Sequence, residues 1–122
     1  MKPAKIAILV LILLFSAVFA NSIYISTVTE RLAEKVKDVE IDDLDYAMEK
    51  FEILREEFKK AEKYISITVS HDDLTNIEEG FADIIGAARS GMRANVITIK
   101  SRLEDSLKHL GRLSSLNLES II

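Results

Sequence analysis

The chain contains no cysteine and no tryptophan, and it has only one proline, Pro3, and four glycines. The absence of cysteine excludes a disulfide framework, a thiol nucleophile and a lipid-modified cysteine. The scarcity of proline and glycine removes the residues that most often interrupt helices. Long helices are therefore permitted almost everywhere after Pro3.

Charge is also missing from one long segment, because no charged residue occurs between Lys5 and Glu30. Within it, residues 6–25 form an apolar run of twenty residues with four polar interruptions. At ~1.5 Å per residue, a helix of this length spans a hydrocarbon core of ~30 Å. Its thirteen Ile, Leu, Val and Phe residues favour insertion by about 4 to 8 kcal/mol before polar costs. The sequence therefore predicts one transmembrane helix.

Two outcomes are open for this segment. Small residues around Ala20 suit a signal peptidase, which would release residues 21–122 as a secreted protein. We expect a retained anchor instead, because the apolar run continues through Ile23 and Ile25, and because Tyr24 suits the membrane interface.

The distribution of basic residues predicts the orientation. Lys2 and Lys5 abut the span, whereas the basic residues beyond it begin at Arg31 and are interleaved with acidic ones. This asymmetry predicts a single-pass protein of the cell membrane with a cytoplasmic N-terminus and an extracytoplasmic C-terminal domain. The five residues before the span leave no room for a cytoplasmic output domain.

The rest of the chain is mildly acidic. The formal net charge of the whole sequence is −4, and leaving out Lys2 and Lys5 makes it −6 for the part after residue 25. Such a segment is repelled by nucleic acid and by anionic head groups. We expect no nucleic-acid partner.

Apolar residues spaced by three and four predict helices beyond the span. The membrane helix should continue outward as an amphipathic stalk to Val39, where the sequence Ile41-Asp42-Asp43 interrupts it. Asp42 or Asp43 is expected to cap the second helix. The apolar stripe of that second helix is Leu44, Ala47, Met48, Phe51, Leu54, Phe58, Ala61 and Ile65.

The C-terminal half predicts two more helices. Tyr64 to Ser70 alternates like a strand but has no convincing partner strand, so we expect a helix or a bend. A third helix starts at Ser70 or Asp72 and ends at Ser90-Gly91, and a fourth runs from about Ala94 into an apolar tail. The predicted stripes of these two helices and the tail are Leu74, Ile77, Phe81, Ile84, Ile85 and Ala88, then Val96, Ile99, Leu103, Leu107, Leu110 and Leu113, then Leu116, Leu118, Ile121 and Ile122.

These stripes must bury one another, which predicts an all-α fold. The N-terminal transmembrane helix should continue into a small antiparallel helical bundle. The predicted domains are an anchor at residues 1–25 and an extracytoplasmic helical bundle at residues 26–122.

Few residues suggest a catalytic or metal-binding site. The sequence His71-Asp72-Asp73 places an imidazole beside two carboxylates, but adjacent helical residues point about 100° apart, whereas metal ligands must converge. A helix N-terminus with acidic first-turn residues is the expected role. His109 lacks a carboxylate partner nearby in the sequence and is expected at the surface.

Other motifs also lack essential parts. Asp42, Asp43 and Asp45 lack the glycine and the distant glutamate of a calcium loop. Gly80, Gly86 and Gly91 form no phosphate-binding loop and are expected at close helix contacts or a hinge, and the serines fit no nucleophile motif. We therefore predict no catalytic, metal-binding or cofactor-binding residue, no cofactor and no enzymatic activity.

Four features carry a resemblance across nearly the whole chain. They are the lysine-flanked N-terminal span, the aromatic-rich second helix ending near Lys63-Tyr64, the sequence His71-Asp72-Asp73-Leu74 followed by Ile77, and the terminal sequence Leu-Asn-Leu-Glu-Ser-Ile-Ile at residues 116–122. In these features the chain resembles a family of small membrane-anchored helical proteins of unknown function from spore-forming Gram-positive bacteria. The resemblance implies an exported helical domain, and it supplies no activity, ligand or catalytic residue.

The sequence as a whole favours a non-enzymatic, membrane-tethered interaction module of the cell envelope. Its apolar tail or helix stripes would engage another envelope protein or a second copy of the chain. Two alternatives are an extracytoplasmic sensor or ligand-binding helical domain that acts through a membrane partner, and a secreted helical protein cleaved after Ala20.

Overall fold

The protein forms four helices in the computed structural model, which describes residues 2–65 and 69–121, with side chains described as far as Ser114. The helices are α1 (Lys2–Asp38), α2 (Leu44–Ile65), α3 (His71–Arg89) and α4 (Arg93–Ile121). Each helix packs against the next, and α4 closes the bundle against α1. The predicted all-α fold, an apolar N-terminal helix leading into an antiparallel bundle, is confirmed.

Local hydrogen bonds fix the helix ends. The Asp43 carboxylate accepts from the backbone N–H groups of Asp45 at 3.0 Å and Tyr46 at 3.3 Å, so Asp43 caps α2. The Ser70 hydroxyl caps α3 by accepting from the N–H of Asp72 at 3.2 Å. Both caps are residues that the sequence analysis proposed.

The end of α3 depends on Gly91, whose φ of +72° lies in the left-handed region. Its N–H donates to the Ala88 carbonyl at 3.2 Å, and the next N–H, of Met92, donates to the Ala87 carbonyl at 2.9 Å. This pair of bonds is a Schellman motif, which suits glycine because a side chain is strained at that φ. The chain can therefore reverse directly into α4.

The predicted stripes form the core. Phe51, Phe58 and Phe81 are fully buried, and the rings of Phe58 and Phe81 lie 6.0 Å apart. Ala47, Leu54, Ala61, Ile65, Leu74, Ile77, Ile84, Ile85, Ala88, Val96, Leu103, Leu107 and Leu110 are also buried. Leu44, Met48 and Ile99 pack at the edge of the core.

Helix α1 contains two different surfaces. Every side chain from Lys2 to Ala20 is exposed, and this part is long and apolar enough to cross a membrane. From Ile25 onward the helix is buried on one face, with Leu32 and Val36 in the core. The segment that the sequence predicted as a stalk is therefore one of the four helices of the bundle.

Two predictions concern segments that are only partly described. Between Tyr64 and Ser70 the chain is helical to Ile65 and bends at Val69, while residues 66–68 lie outside the described part. The apolar tail is helical to Ile121, but its side chains from residue 115 onward also lie outside the described part.

Candidate functional site

A polar groove runs between α3 and α4. Its volume is about 300 Å³, the lower end of the range for small-ligand sites. The residues that line it carry both charges: Asp73, Asn76, Arg102, Asp105, Ser106, His109, Leu110 and Arg112. The groove, called here the α3–α4 groove, can therefore both donate hydrogen bonds to a small polar molecule and accept them from it.

Helical spacing explains why these side chains meet. Arg102, Asp105, His109 and Arg112 recur at intervals of three and four along α4, which places them on one face. The two helices approach closely at Gly80, where an added Cβ would lie 2.9 Å from Leu103 Cδ1. Gly80 therefore has the close-packing role expected from the sequence.

The structure separates the members of the His71-Asp72-Asp73 motif. Asp73 lines the α3–α4 groove together with His109, whereas His71 and Asp72 are exposed and outside its lining. The expectation that His109 has no carboxylate neighbour was wrong, because Asp105 lies one helical turn earlier on the same face of α4. Asp73 joins them in the groove through the packing of α3 on α4. Within the described residues, no three His, Asp or Glu side chains are placed to hold a metal ion.

A second cluster lies between α2 and α3, where Lys59, Glu62, Lys63 and Glu78 line a shallow groove. A hydrogen bond between the carboxyl groups of Glu62 and Glu78 raises the pKa of Glu62 from 4.5 to about 7, with burial and the Glu78 charge acting in the same direction. Lys59 acts in the opposite direction. The Glu62 carboxyl therefore keeps its proton to a higher pH than an ordinary glutamate, which the sequence did not indicate.

The two ends of the bundle differ in chemistry. At the distal end, the Arg93 guanidinium donates to the carbonyls of Ile41 at 2.6 Å and Asp42 at 2.9 Å, and Lys100 donates to the Val39 carbonyl at 2.8 Å. Two cationic side chains of α4 therefore bind backbone carbonyls of the polar α1–α2 loop.

The proximal end, where α1 enters the bundle, is aromatic. The rings of Tyr24 and Tyr64 meet edge to face with centroids 5.9 Å apart. Tyrosine at this level suits a membrane interface, since its ring is apolar and its hydroxyl remains hydrated. Tyr24 was expected at the interface from the sequence, and Tyr64 at the end of α2 contacts it.

Helices α1 and α4 approach each other closely at Gly111. An added Cβ there would lie 2.8 Å from the Thr29 hydroxyl oxygen and 3.8 Å from the Ser26 carbonyl. The Thr29 hydroxyl is fully buried and donates to the Ile25 carbonyl at 2.7 Å. A lone glycine inside an otherwise regular helical pattern is the sequence signal that would have indicated this contact.

Comparison of the chain with protein-family models, with characterised proteins and with solved structures found no match. The resemblance noted from the sequence therefore remains a prediction.

Proposed function

We propose that the protein is a non-enzymatic, membrane-tethered interaction module of the cell envelope. The first part of α1 anchors it with the N-terminus in the cytoplasm, and the four-helix bundle lies outside. The observation that carries this proposal is that every side chain from residue 2 to residue 20 is exposed, on a helix that is packed from Ile25 onward.

An aqueous environment for residues 2–20 is unfavourable. Ile6, Leu13 and Leu14 are each about 60% exposed, and exposed apolar surfaces of this extent are typical of membrane or protein contacts. Lipid covers such a surface along its whole length. The uninterrupted helix through Ala20 also favours a retained anchor, because the bond after Ala20 lies in hydrogen-bonded backbone.

The bundle limits where a protein partner would bind. The stripes of α2, α3 and α4 pack against one another in the core, so their apolar faces are occupied. Among the described side chains, the longest continuous apolar surface left exposed is residues 2–20 of α1, whereas Tyr46, Ile53, Met92 and Ile97 are exposed separately on the bundle. We therefore place the partner contact at the membrane or beside it.

Fractionation with intact-mass measurement tests the anchor. The full chain carrying a C-terminal tag should remain in the membrane fraction with the mass of the uncleaved sequence. The Ala20→Phe variant, which removes the small residue that a signal peptidase requires, serves as the matched control and should behave identically. A wild-type product that begins at Asn21 in the medium would overturn the proposal and establish a secreted helical protein.

Self-association through α1 has its own test, because the chain lacks cysteine. A Ser16→Cys variant in membranes should be joined to a second copy by a short thiol-reactive crosslinker. The Ile97→Cys variant is the control, since Ile97 is exposed on the bundle and lies away from α1's apolar segment. Equal crosslinking of both variants would count against an interface in the membrane.

The α3–α4 groove favours a second candidate function, an extracytoplasmic sensor or ligand-binding domain. A small polar molecule that binds there should raise the unfolding temperature of the full chain in detergent, and His109→Gln and Arg112→Gln should abolish the rise. Lys59→Gln, outside this groove, is the matched control. A panel of divalent metals, anions and zwitterions that produces no shift would reject this candidate.

A further inference from the structure

The C-terminal part of α4 extends along α1 towards the membrane anchor. The two helices are antiparallel, since Lys100 bonds to Val39 whereas Gly111 faces Ser26 and Thr29. Helix α4 then continues to Ile121, ten residues beyond Gly111.

The register of the two helices gives the level that α4 reaches. At ~1.5 Å per residue, the end of α4 lies level with the part of α1 about ten residues before Ser26 to Thr29, which is roughly residues 16–19. These residues belong to the apolar run 6–25.

Charge ends at the same level on both helices. Glu30 is the first charged residue of α1 after the apolar run, and it lines one groove with Arg112 of α4. Beyond Arg112 the sequence has a single charged residue, Glu119, among Leu113, Leu116, Leu118, Ile121 and Ile122. Residues 113–122 also contain Ser114, Ser115, Asn117 and Ser120, so the two helices share a fall in charge at this level.

The tyrosine pair lies close to this level. Tyr24 is in the first turns of α1 beyond the exposed segment, and Tyr64 is 60% exposed at the end of α2. Tyrosine is enriched where a protein crosses from hydrocarbon to head groups. Three of the four helices thus contribute interfacial or apolar residues at the proximal end.

We propose that the last turns of α4, residues 113–121, are embedded in lipid beside α1, from the head-group level of the outer leaflet at Leu113 to ~10 Å inside its hydrocarbon layer at Ile121. This inference rests on the proposed membrane anchor. Lipid is the occupant because the same level of α1 is surrounded by lipid when α1 spans the bilayer. The bundle is then held to the membrane by two helices, which leaves the lipid-facing side of α1 as the surface for a protein partner.

Tryptophan reporters test the proposal, since the chain has no native tryptophan. Four variants of the full chain, Ile121→Trp, Leu116→Trp, Phe15→Trp and Ile97→Trp, are reconstituted into phosphatidylcholine vesicles with brominated or ordinary acyl chains. Phe15→Trp reports on the anchor, and Ile97→Trp reports on a water-exposed position of α4. Circular dichroism checks that each variant keeps the wild-type helix content.

Quenching by brominated lipid gives the result. We expect a loss of emission for Phe15→Trp and for Ile121→Trp or Leu116→Trp, with no loss for Ile97→Trp. If only Phe15→Trp is quenched, the embedding of α4 is overturned while the anchor stands. Blue-shifted but unquenched emission from Ile121→Trp and Leu116→Trp also overturns it, because protein would then cover the tail. If Phe15→Trp is unquenched, the anchor itself fails, and the embedding of α4 fails with it.

Discussion

Residues 2–20 and 21–38 belong to one uninterrupted helix, but they differ in what surrounds them. Beyond Lys5 the first part is apolar on every side and its side chains are exposed, whereas the second part buries Ile25, Leu32 and Val36 and turns charged residues outward. A helix that is apolar all round needs an apolar solvent, and one with a single apolar stripe needs a protein core. The pattern of charge around α1, rather than a break in the backbone, therefore separates anchor from bundle.

Charges placed in the first part should have the largest effect. Replacing Leu11 and Phe15 together by arginine costs about 5 to 7 kcal/mol at the centre of a span, which offsets most of the insertion energy. We expect the tagged chain to leave the membrane fraction. The same pair of changes at Tyr46 and Ile53, which are exposed on the bundle, should leave fractionation unaltered.

A cavity in the bundle core should lower the free energy of unfolding but leave the chain in the membrane fraction. Phe58 is fully buried against Phe81, so Phe58→Ala should lower the free energy of unfolding by ~3 to 5 kcal/mol. Denaturant titration of the detergent-solubilised chain measures this change. Membrane fractionation should persist, and Ile53→Ala at an exposed position should change stability little; equal losses from the two variants would contradict the packing described for α2.

The packing of the second part of α1 against α4 can be tested at Gly111. Gly111→Ala places a methyl group against the Thr29 hydroxyl and should lower the free energy of unfolding by ~1 to 3 kcal/mol. Gly86→Ala is the control, since nothing lies within 4 Å of an added Cβ there, and it should stabilise α3 by ~0.5 to 1 kcal/mol.

A double-mutant cycle identifies the contact at Gly111. Combining Gly111→Ala with Thr29→Ala should restore part of the lost stability, because the clashing oxygen is removed. Strict additivity of the two changes would show that Gly111 acts through something other than Thr29.

The smallest expected effect is a pH dependence of the free energy of unfolding, which arises at the α2–α3 contact. The pKa of Glu62 is raised from 4.5 to about 7 in the folded protein, so the folded state binds more protons than the unfolded state between these values. Stability should therefore fall as pH rises from about 4.5 to about 7 and level off above that range. Unfolding midpoints across this range measure the trend.

Glu62→Gln should flatten that part of the pH profile, because the titrating carboxyl is gone. Glu49→Gln, at an exposed position of α2, should retain the wild-type slope. A slope that survives in Glu62→Gln would assign the pH dependence to other groups.

The sequence predicted most of the helices and their buried faces, because these depend on local spacing. Asp43, Ser70 and Gly91 end or begin helices through contacts within a few residues, and such contacts can be seen in the sequence. The shared groove of His109 and Asp73, the pairing of Glu62 with Glu78 and the contact of Gly111 with Thr29 depend on how whole helices are rotated and aligned. Sequence spacing alone does not determine that alignment.

The second part of α1 illustrates the same limit. Its stripe was correctly predicted as amphipathic, but a stalk and a bundle helix have the same periodicity. Only the return of α4 beside Thr29 shows that the stripe is buried within the chain itself. The candidate groove was missed for a related reason, since it needs α3 and α4 together.

Site-directed labelling measures the topology most directly, because the chain has no native cysteine. In intact protoplasts, a membrane-impermeant maleimide should label Ala94→Cys, at the start of α4, and should label Ala4→Cys only after lysis. Labelling of Ala4→Cys but not Ala94→Cys before lysis would contradict the proposed orientation. Labelling of both before lysis, or recovery of the Ala94→Cys protein outside the membrane fraction, would contradict a membrane-spanning α1.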